Sequence, residues 1–176
     1  MALELRTLLK HFQLTAIMVT HNQNEAFSLA DNIAVMQNGK ITHFSDPESL
    51  YSFPPSLAVA KFIGDGFWLE AKVENESITT EVGSIEISSK SRDTDSVRNG
   101  KLFLRPDAIA VCDSTSEGYD VTVLNLRFRG NRYIAQAETA LGQKILVSLR
   151  GIKPKLGQVI RIQVKKNVKY VLYPEE

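Results

Sequence analysis

The sequence predicts a mixed chain in two unlike parts: a truncated α/β segment over residues 1–63, then an all-β barrel region over residues 64–176. Three observations lead there. A helix, a short apolar run, a second helix and a hairpin follow one another in the first part, which is the order of an α/β sheet. Pro54-Pro55 and Gly64-Asp-Gly66 break the chain near residue 64. Beyond that break helical periodicity stops, and many short β-type runs separated by glycine turns take over, the pattern of a small barrel or sandwich.

In the first part, Leu5, Leu8, Leu9 and Phe12 fall at i, i+3, i+4 and i+7 with Arg6, Lys10 and Gln13 opposite, an amphipathic helix. Residues 16–19 (Ala-Ile-Met-Val) are continuously apolar and read as a strand buried on both faces of a parallel sheet. Ligands in such sheets bind beyond the carboxyl ends of the strands, where His21 stands. On spacing alone His21 is also readable as a strand-end histidine held by a backbone carbonyl. Asn22-Gln-Asn-Glu25 has the form of a capping box, with Asn22 as N-cap and Glu25 reaching back to it, followed by the apolar face of Ala26, Phe27, Leu29 and Ala30. Residues 33–36 and 40–44 read as two strands joined by a type I′ turn at Asn38-Gly39, since both residues tolerate positive φ. Residues 56–63 carry Leu57, Val59, Ala60, Phe62 and Ile63 and read as a helix, and Gly64-Asp-Gly66 as a flexible joint.

In the second part the strand-like runs are 69–73, 78–82, 85–87, 101–104, 109–112, 121–128, 133–137, 145–149, 159–164 and 170–173. Turn signals separate them at Gly83, Asn99-Gly100, Gly118, Gly130-Asn131, Gly142, Gly151 and Gly157, and residues 88–96 are polar enough to form a loop.

Composition excludes several classes. A single cysteine among 176 residues rules out an intramolecular disulfide framework, and Cys112, in an apolar stretch, reads as a buried thiol. No apolar run approaches the roughly 18 residues of a membrane-spanning helix, and the start of the chain lacks a signal-peptide pattern, so the expected location is cytoplasmic, with membrane attachment only through partners. His11, His21 and His43 show no metal-ligand spacing, and no serine sits in a nucleophile elbow. Residues 1–100 carry 8 Lys and Arg against 13 Asp and Glu, whereas residues 101–176 carry 13 against 7. A basic barrel with Phe128, Tyr133, Tyr170 and Tyr173 among its cations is a footprint of single-strand nucleic-acid binding. Against it, alternation along a strand puts Arg127 and Arg129 on the face opposite Phe128.

The order of elements in the first part, with these residues, resembles the last part of the nucleotide-binding domain of ABC transporter ATPases. Val19-Thr20-His21 is similar to the switch-histidine segment, Glu25-Ala26 and Ala30-Asp31 to the helix after it, and Val35-Met36 with Asn38-Gly39-Lys40-Ile41 to the following hairpin. Asp46-Pro-Glu-Ser-Leu-Tyr51 and Ala60-Lys-Phe-Ile-Gly64 are similar to the closing helices. The resemblance implies that His21 is catalytic, contacting the γ-phosphate of ATP and helping to hold the attacking water. An imidazole that donates from one nitrogen and accepts at the other suits that task. Asn22 and Asn24 depart from the acidic residues that solute importers usually carry there, which bears on the polarity around His21 rather than on its identity.

The phosphate-cradling G-x-x-x-x-G-K-[ST] loop is absent: Gly39-Lys40 runs into Ile41 and Gly100-Lys101 into Leu102, neither with a glycine at the required distance. An Asp-Glu pair after an apolar strand and a Gly-Gly signature loop are absent as well. The expectation is therefore a fragment of a longer subunit that does not hydrolyse ATP by itself, because phosphoryl transfer is mostly positioning and electrostatic stabilisation. ATP and Mg²⁺ are implied for the full-length parent and no cofactor for this stretch.

Leu102-Phe-Leu-Arg-Pro-Asp-Ala-Ile109 resembles a recurrent segment of the transport-associated OB-like (TOBE) domains that follow importer ATPases, and Leu156-Gly-Gln-Val159 with Ile162-Gln-Val164 resembles their closing strand. The resemblance implies a regulatory, dimerising OB-like barrel over 64–176, with Arg105 and Pro106 in an architectural role, although a ligand-binding role for Arg105-Pro106-Asp107 stays open; Asn22 and Glu25 are structural through their capping box. It implies permease subunits, a second ATPase subunit in a homodimer and a separate solute-binding protein as partners, and no nucleic acid. Phe128-Arg-Gly-Asn-Arg-Tyr133 is most similar to ferric-ion importers, with sulfate, polyamine, molybdate and sugar importers also open. Exposed sheet edges predict self-association. The competing class is a non-enzymatic OB-type module that binds nucleic acid or a small anion.

Overall fold

A computed structural model describes residues 2–74, 77–86, 99–113 and 115–174. The polar stretch expected as a loop at 88–96, and Ile87 at the end of one expected strand, lie outside the described residues. The chain divides into two compact units, Met1–Gly64 and Asp65–Glu176.

The first unit runs α1 (Ala2–His11), α2 (Gln23–Leu29), β1 (Ile33–Gln37), β2 (Lys40–Ser45), α3 (Pro47–Ser52) and α4 (Leu57–Phe62). The β1–β2 hairpin turns at Asn38 (φ 50°) and Gly39 (φ 75°), the two positive φ values that a type I′ turn demands. Asp46 and Ser56 cap α3 and α4 by accepting from the Ser49 and Val59 amides at 3.0 and 3.3 Å. A small core of Val35, Leu50, Val59 and Ile63 forms, with Phe27 and Ile33 against it. Arg6 of α1 donates to the Leu29 and Ala30 carbonyls at the end of α2, at 2.7 and 3.2 Å, and reaches Asp31 at 2.8 Å. A cation there satisfies carbonyls that the helix end leaves open.

Residues 16–19 correct the sequence expectation. They form no strand, no described strand lies beside them, and Ile17 and Val19 are 94% and 95% exposed. The apolar run marks a segment suited to burial, but burial needs neighbours on both edges and both faces. The predicted face of α1 is likewise mostly open: Leu5, Leu8 and Phe12 are exposed and Leu9 is half-buried, so helical periodicity located the helix although little of that face is covered.

Among its described residues the second unit has ten strands in two five-stranded sheets around one core. One sheet has the order β12-β6-β3-β4-β5, from β3 (Phe67–Glu74), β4 (Ser77–Thr80), β5 (Gly83–Glu86), β6 (Asn99–Leu104) and β12 (Val171–Pro174). The other has the order β10-β9-β8-β11-β7, from β7 (Ile109–Val111), β8 (Tyr119–Phe128), β9 (Tyr133–Glu138), β10 (Lys144–Leu149) and β11 (Val159–Val164). All described pairings are antiparallel. In the second sheet the edge strands β7 and β10 come to lie against each other, so it curls into a nearly closed barrel. Alternation explains which residues face inward: Ile145, Val147 and Leu149 of β10 are buried, as are Phe67, Leu69 and Ala71 of β3.

Three local expectations change. Asn99-Gly100 is not a turn but the start of β6, where Asn99 pairs with Lys72 and Gly100 lies between Ala71 and Pro174. Cys112 is half-buried rather than buried. Gly66 is less a flexible joint than a point of close approach, since a Cβ there would run into the Phe103 ring.

Candidate functional site

His21 occupies a bend between the extended segment and α2, and its side chain is exposed. The polar groups around it are engaged with one another. The Thr20 hydroxyl accepts from the Asn22 amide at 2.9 Å and donates to a Glu25 carboxylate oxygen at 3.0 Å. Asn22 Oδ1 accepts from the Asn24 amide at 3.1 Å, which makes Asn22 the N-cap of α2. The expected capping box is thus altered: Glu25 reaches the Asn22 amide through the Thr20 hydroxyl instead of directly, and the relay sets the bend that carries His21. Gln23 Nε2 donates to the Phe62 carbonyl, tying the start of α2 to the end of α4. A magnesium nucleotide needs several donors on its phosphates. With Thr20, Asn22 and Glu25 committed to one another, the His21 region offers a single imidazole, and these residues do not by themselves fit that ligand.

The segment 105–107 is architectural in its contacts. Arg105 donates to the Asp65 carbonyl at 3.0 Å and its guanidinium lies 4.8 Å from the Phe103 ring centroid, on which Trp68 also stacks. Pro106 is buried and opens a short 3₁₀ turn, where a missing amide costs nothing. Asp107 receives two hydrogen bonds from Arg132, at 2.9 and 3.1 Å. Partial burial works to raise the Asp107 carboxyl, but the Ser148 hydroxyl and the Arg132 charge outweigh it and hold the group below the usual carboxylate range. Among the described residues, no three His, Cys, Asp or Glu side chains come together as a metal site would require. No described helix is long and apolar enough to cross a membrane.

No protein-family model matches the sequence. Individual relatives do. The Fe(3+) ions import ATP-binding protein FbpC of Fusobacterium nucleatum is 32% identical over 176 aligned residues, covering 93% of this chain and 46% of its own. FbpC 2 of Rhodococcus jostii is 34% identical over 69% of this chain and 34% of its own. The spermidine/putrescine import ATP-binding protein PotA of Mesoplasma florum is 31% identical over 77% of this chain and 39% of its own. The chain belongs to the family of ABC importer ATP-binding subunits.

Within that family, the chain spans about half the length or less of the curated relatives it matches. Among solved structures, the cytoplasmic molybdate-binding protein ModG overlaps 63% of this ABC-family chain and 96% of its own at a TM-score of 0.42 and 14% identity, too distant to bear on function. Sequence reasoning singled out Arg105 but not Asp65, whose carbonyl accepts from its guanidinium. Asp65 has no periodicity or motif to mark it, because its partners lie 40 to 64 residues away.

Proposed function

We propose that this chain is the C-terminal part of the ATP-binding subunit of a binding-protein-dependent ABC importer, which couples ATP hydrolysis to solute uptake. The observation that carries the reading is the extent of the match. A ferric-ion import ATP-binding protein aligns with 93% of the chain, so one relative accounts for both the His21 unit and the strand-rich unit in a single order. In this reading residues 1–63 are the end of a nucleotide-binding domain, and His21 is its γ-phosphate contact. Residues 64–176 are an OB-like TOBE domain that regulates and dimerises. The partners are permease subunits, a second ATPase subunit and a solute-binding protein, at the cytoplasmic face of the membrane. Ferric ion is the preferred solute, supported by the names of two of the three relatives above and by Phe128-Arg-Gly-Asn-Arg-Tyr133; polyamine is the next choice. By itself the 176-residue chain turns over no ATP, because it supplies His21 without a phosphate loop, a catalytic glutamate or a signature loop.

Joining the chain behind the front half of the Fusobacterium FbpC tests this. The chimera is expected to release phosphate from Mg-ATP, with His21→Ala lowering turnover on the order of 100-fold or more. Turnover by the 176-residue chain alone, or an unchanged rate in the His21→Ala chimera, contradicts the assignment. Restoration of iron-limited growth, but not of spermidine uptake, in cells lacking the corresponding ATPase decides between the two solutes.

A further inference from the structure

We propose that the open groove between the 129–132 turn and the 151–153 loop binds a compact organic anion with a flat apolar body, an aromatic carboxylate of the benzoate class. The groove offers about 260 Å³ and is lined by Phe128, Asn131, Arg132, Tyr133, Ile152 and Lys153 together with two glycines. Its walls follow from the strand register. A bulge between Val123 and Asn125 resets the alternation of β8, so that Leu126 turns inward toward the core and Arg127 outward. Phe128 then continues the inward row, pairs with Tyr133 across the strands and overshoots the end of the barrel. The two rings lie 5.1 Å apart at 51°, and Phe128 is left 63% exposed. Ile152 stands in the same groove 47% exposed. Gly130 and Gly151 hold φ at 74° and 70°, a conformation other residues avoid, so both turns bend sharply without a side chain over the opening.

The charges in the groove are unequal in availability. Arg132 is bound on two bonds to Asp107. Lys153 Nζ sits 5.6 Å from the Tyr133 ring centroid and has no carboxylate partner among the described residues. A cation beside exposed aromatic surface suits one kind of ligand. Its carboxylate meets Lys153 and its ring covers Phe128 and Ile152, burying apolar area that water now touches. An inorganic anion leaves the rings wet, and a neutral hydrocarbon leaves the ammonium unanswered. Arg127 and Arg129 face away from the groove to Asp65, so no continuous track for a phosphate backbone runs past the rings.

The test is an amide chemical-shift titration of the whole 176-residue chain with benzoate, inorganic phosphate and a short oligothymidylate. Benzoate is expected to shift the Gly130, Tyr133 and Gly151 amides saturably, with an affinity on the order of 1 mM. Lys153→Ala and Phe128→Ala are each expected to weaken binding about tenfold. Lys155→Ala, outside the groove, is expected to leave it unchanged, and unshifted core amides in each variant show that the fold is intact. The proposal is overturned by any of three results: no saturable shifts with benzoate, equal saturation by phosphate, or undiminished binding in Lys153→Ala. Tighter, salt-dependent binding of the oligothymidylate also overturns it, in favour of a nucleic-acid surface. None of these outcomes bears on ATP turnover, so this site and the importer reading stand or fall separately.

Discussion

Arg127 Nη2 lies 3.1 Å from Asp65 Oδ1, joining residues 62 positions apart. Arg129, on the same strand face, approaches the other carboxylate oxygen at 3.5 Å, while Arg105 holds the Asp65 carbonyl. Two side chains and a third residue's guanidinium therefore converge on the first residue of the second unit.

The Arg127–Asp65 side chains are 48% and 32% exposed, so solvent screens most of their attraction. A double-mutant cycle with Arg127→Ala and Asp65→Ala, followed by urea unfolding, is expected to give a coupling of about 1 kcal/mol or less that shrinks as salt rises. A salt-independent coupling above about 2 kcal/mol would show that the pair is effectively buried.

Gly118 is required by space and not by φ. A Cβ there would stand 2.6 Å from the Ile162 carbonyl oxygen and 2.9 Å from Cys112 Sγ. Gly118→Ala is expected to cost about 1–3 kcal/mol, because backbone must shift. Gly142→Ala, at φ 83° with nothing within 4 Å, carries only backbone strain of about 1–2 kcal/mol. If both variants unfold at the wild-type urea concentration, neither constraint operates.

Burial pushes the Tyr173 phenol up to about 12, with the Arg105 charge pulling weakly the other way. The unfolded phenol ionises near 10, so this contribution to stability is complete below pH 10 and is lost as pH rises toward 12. Absorbance titration at alkaline pH is expected to show a late-ionising phenol that Tyr173→Phe removes. A Tyr173→Phe titration curve that keeps its latest step assigns that step elsewhere.

Asp107 has the opposite sign. Its folded carboxyl releases its proton below the ordinary value of 3.8, so its contribution is complete above 3.8 and is lost as pH falls through the lower folded value. Asp107→Asn is expected to be less stable than wild type at neutral pH and to converge with it in acid, as read from urea midpoints across that range. Parallel midpoint curves would mean that the Arg132 pair does not set the acid limb.

The sequence marked most strands because alternation needs only local chemistry: Ile145, Val147 and Leu149 must share a face wherever the strand lies. The Asn38-Gly39 turn was legible for the same reason, since φ preference belongs to the residue itself. Residues 16–19 were misread because burial belongs to the neighbourhood, and their apolar character alone does not supply a sheet. Asn99-Gly100 reads as a turn by propensity, yet pairing with β3 and β12 overrides it.

By itself, then, the sequence determined the β1–β2 hairpin, most of the later strands and the helix start at Asn22 beside His21, all set by interactions within a few residues. Only the tertiary structure decided which groups those residues meet: Glu25 with Thr20, Arg127 with Asp65, Arg132 with Asp107, Lys153 with the Tyr133 ring. Apart from Glu25 and Thr20, these contacts join residues 20 or more positions apart, and strand register and sheet curvature bring them together without leaving a periodic trace in the chain.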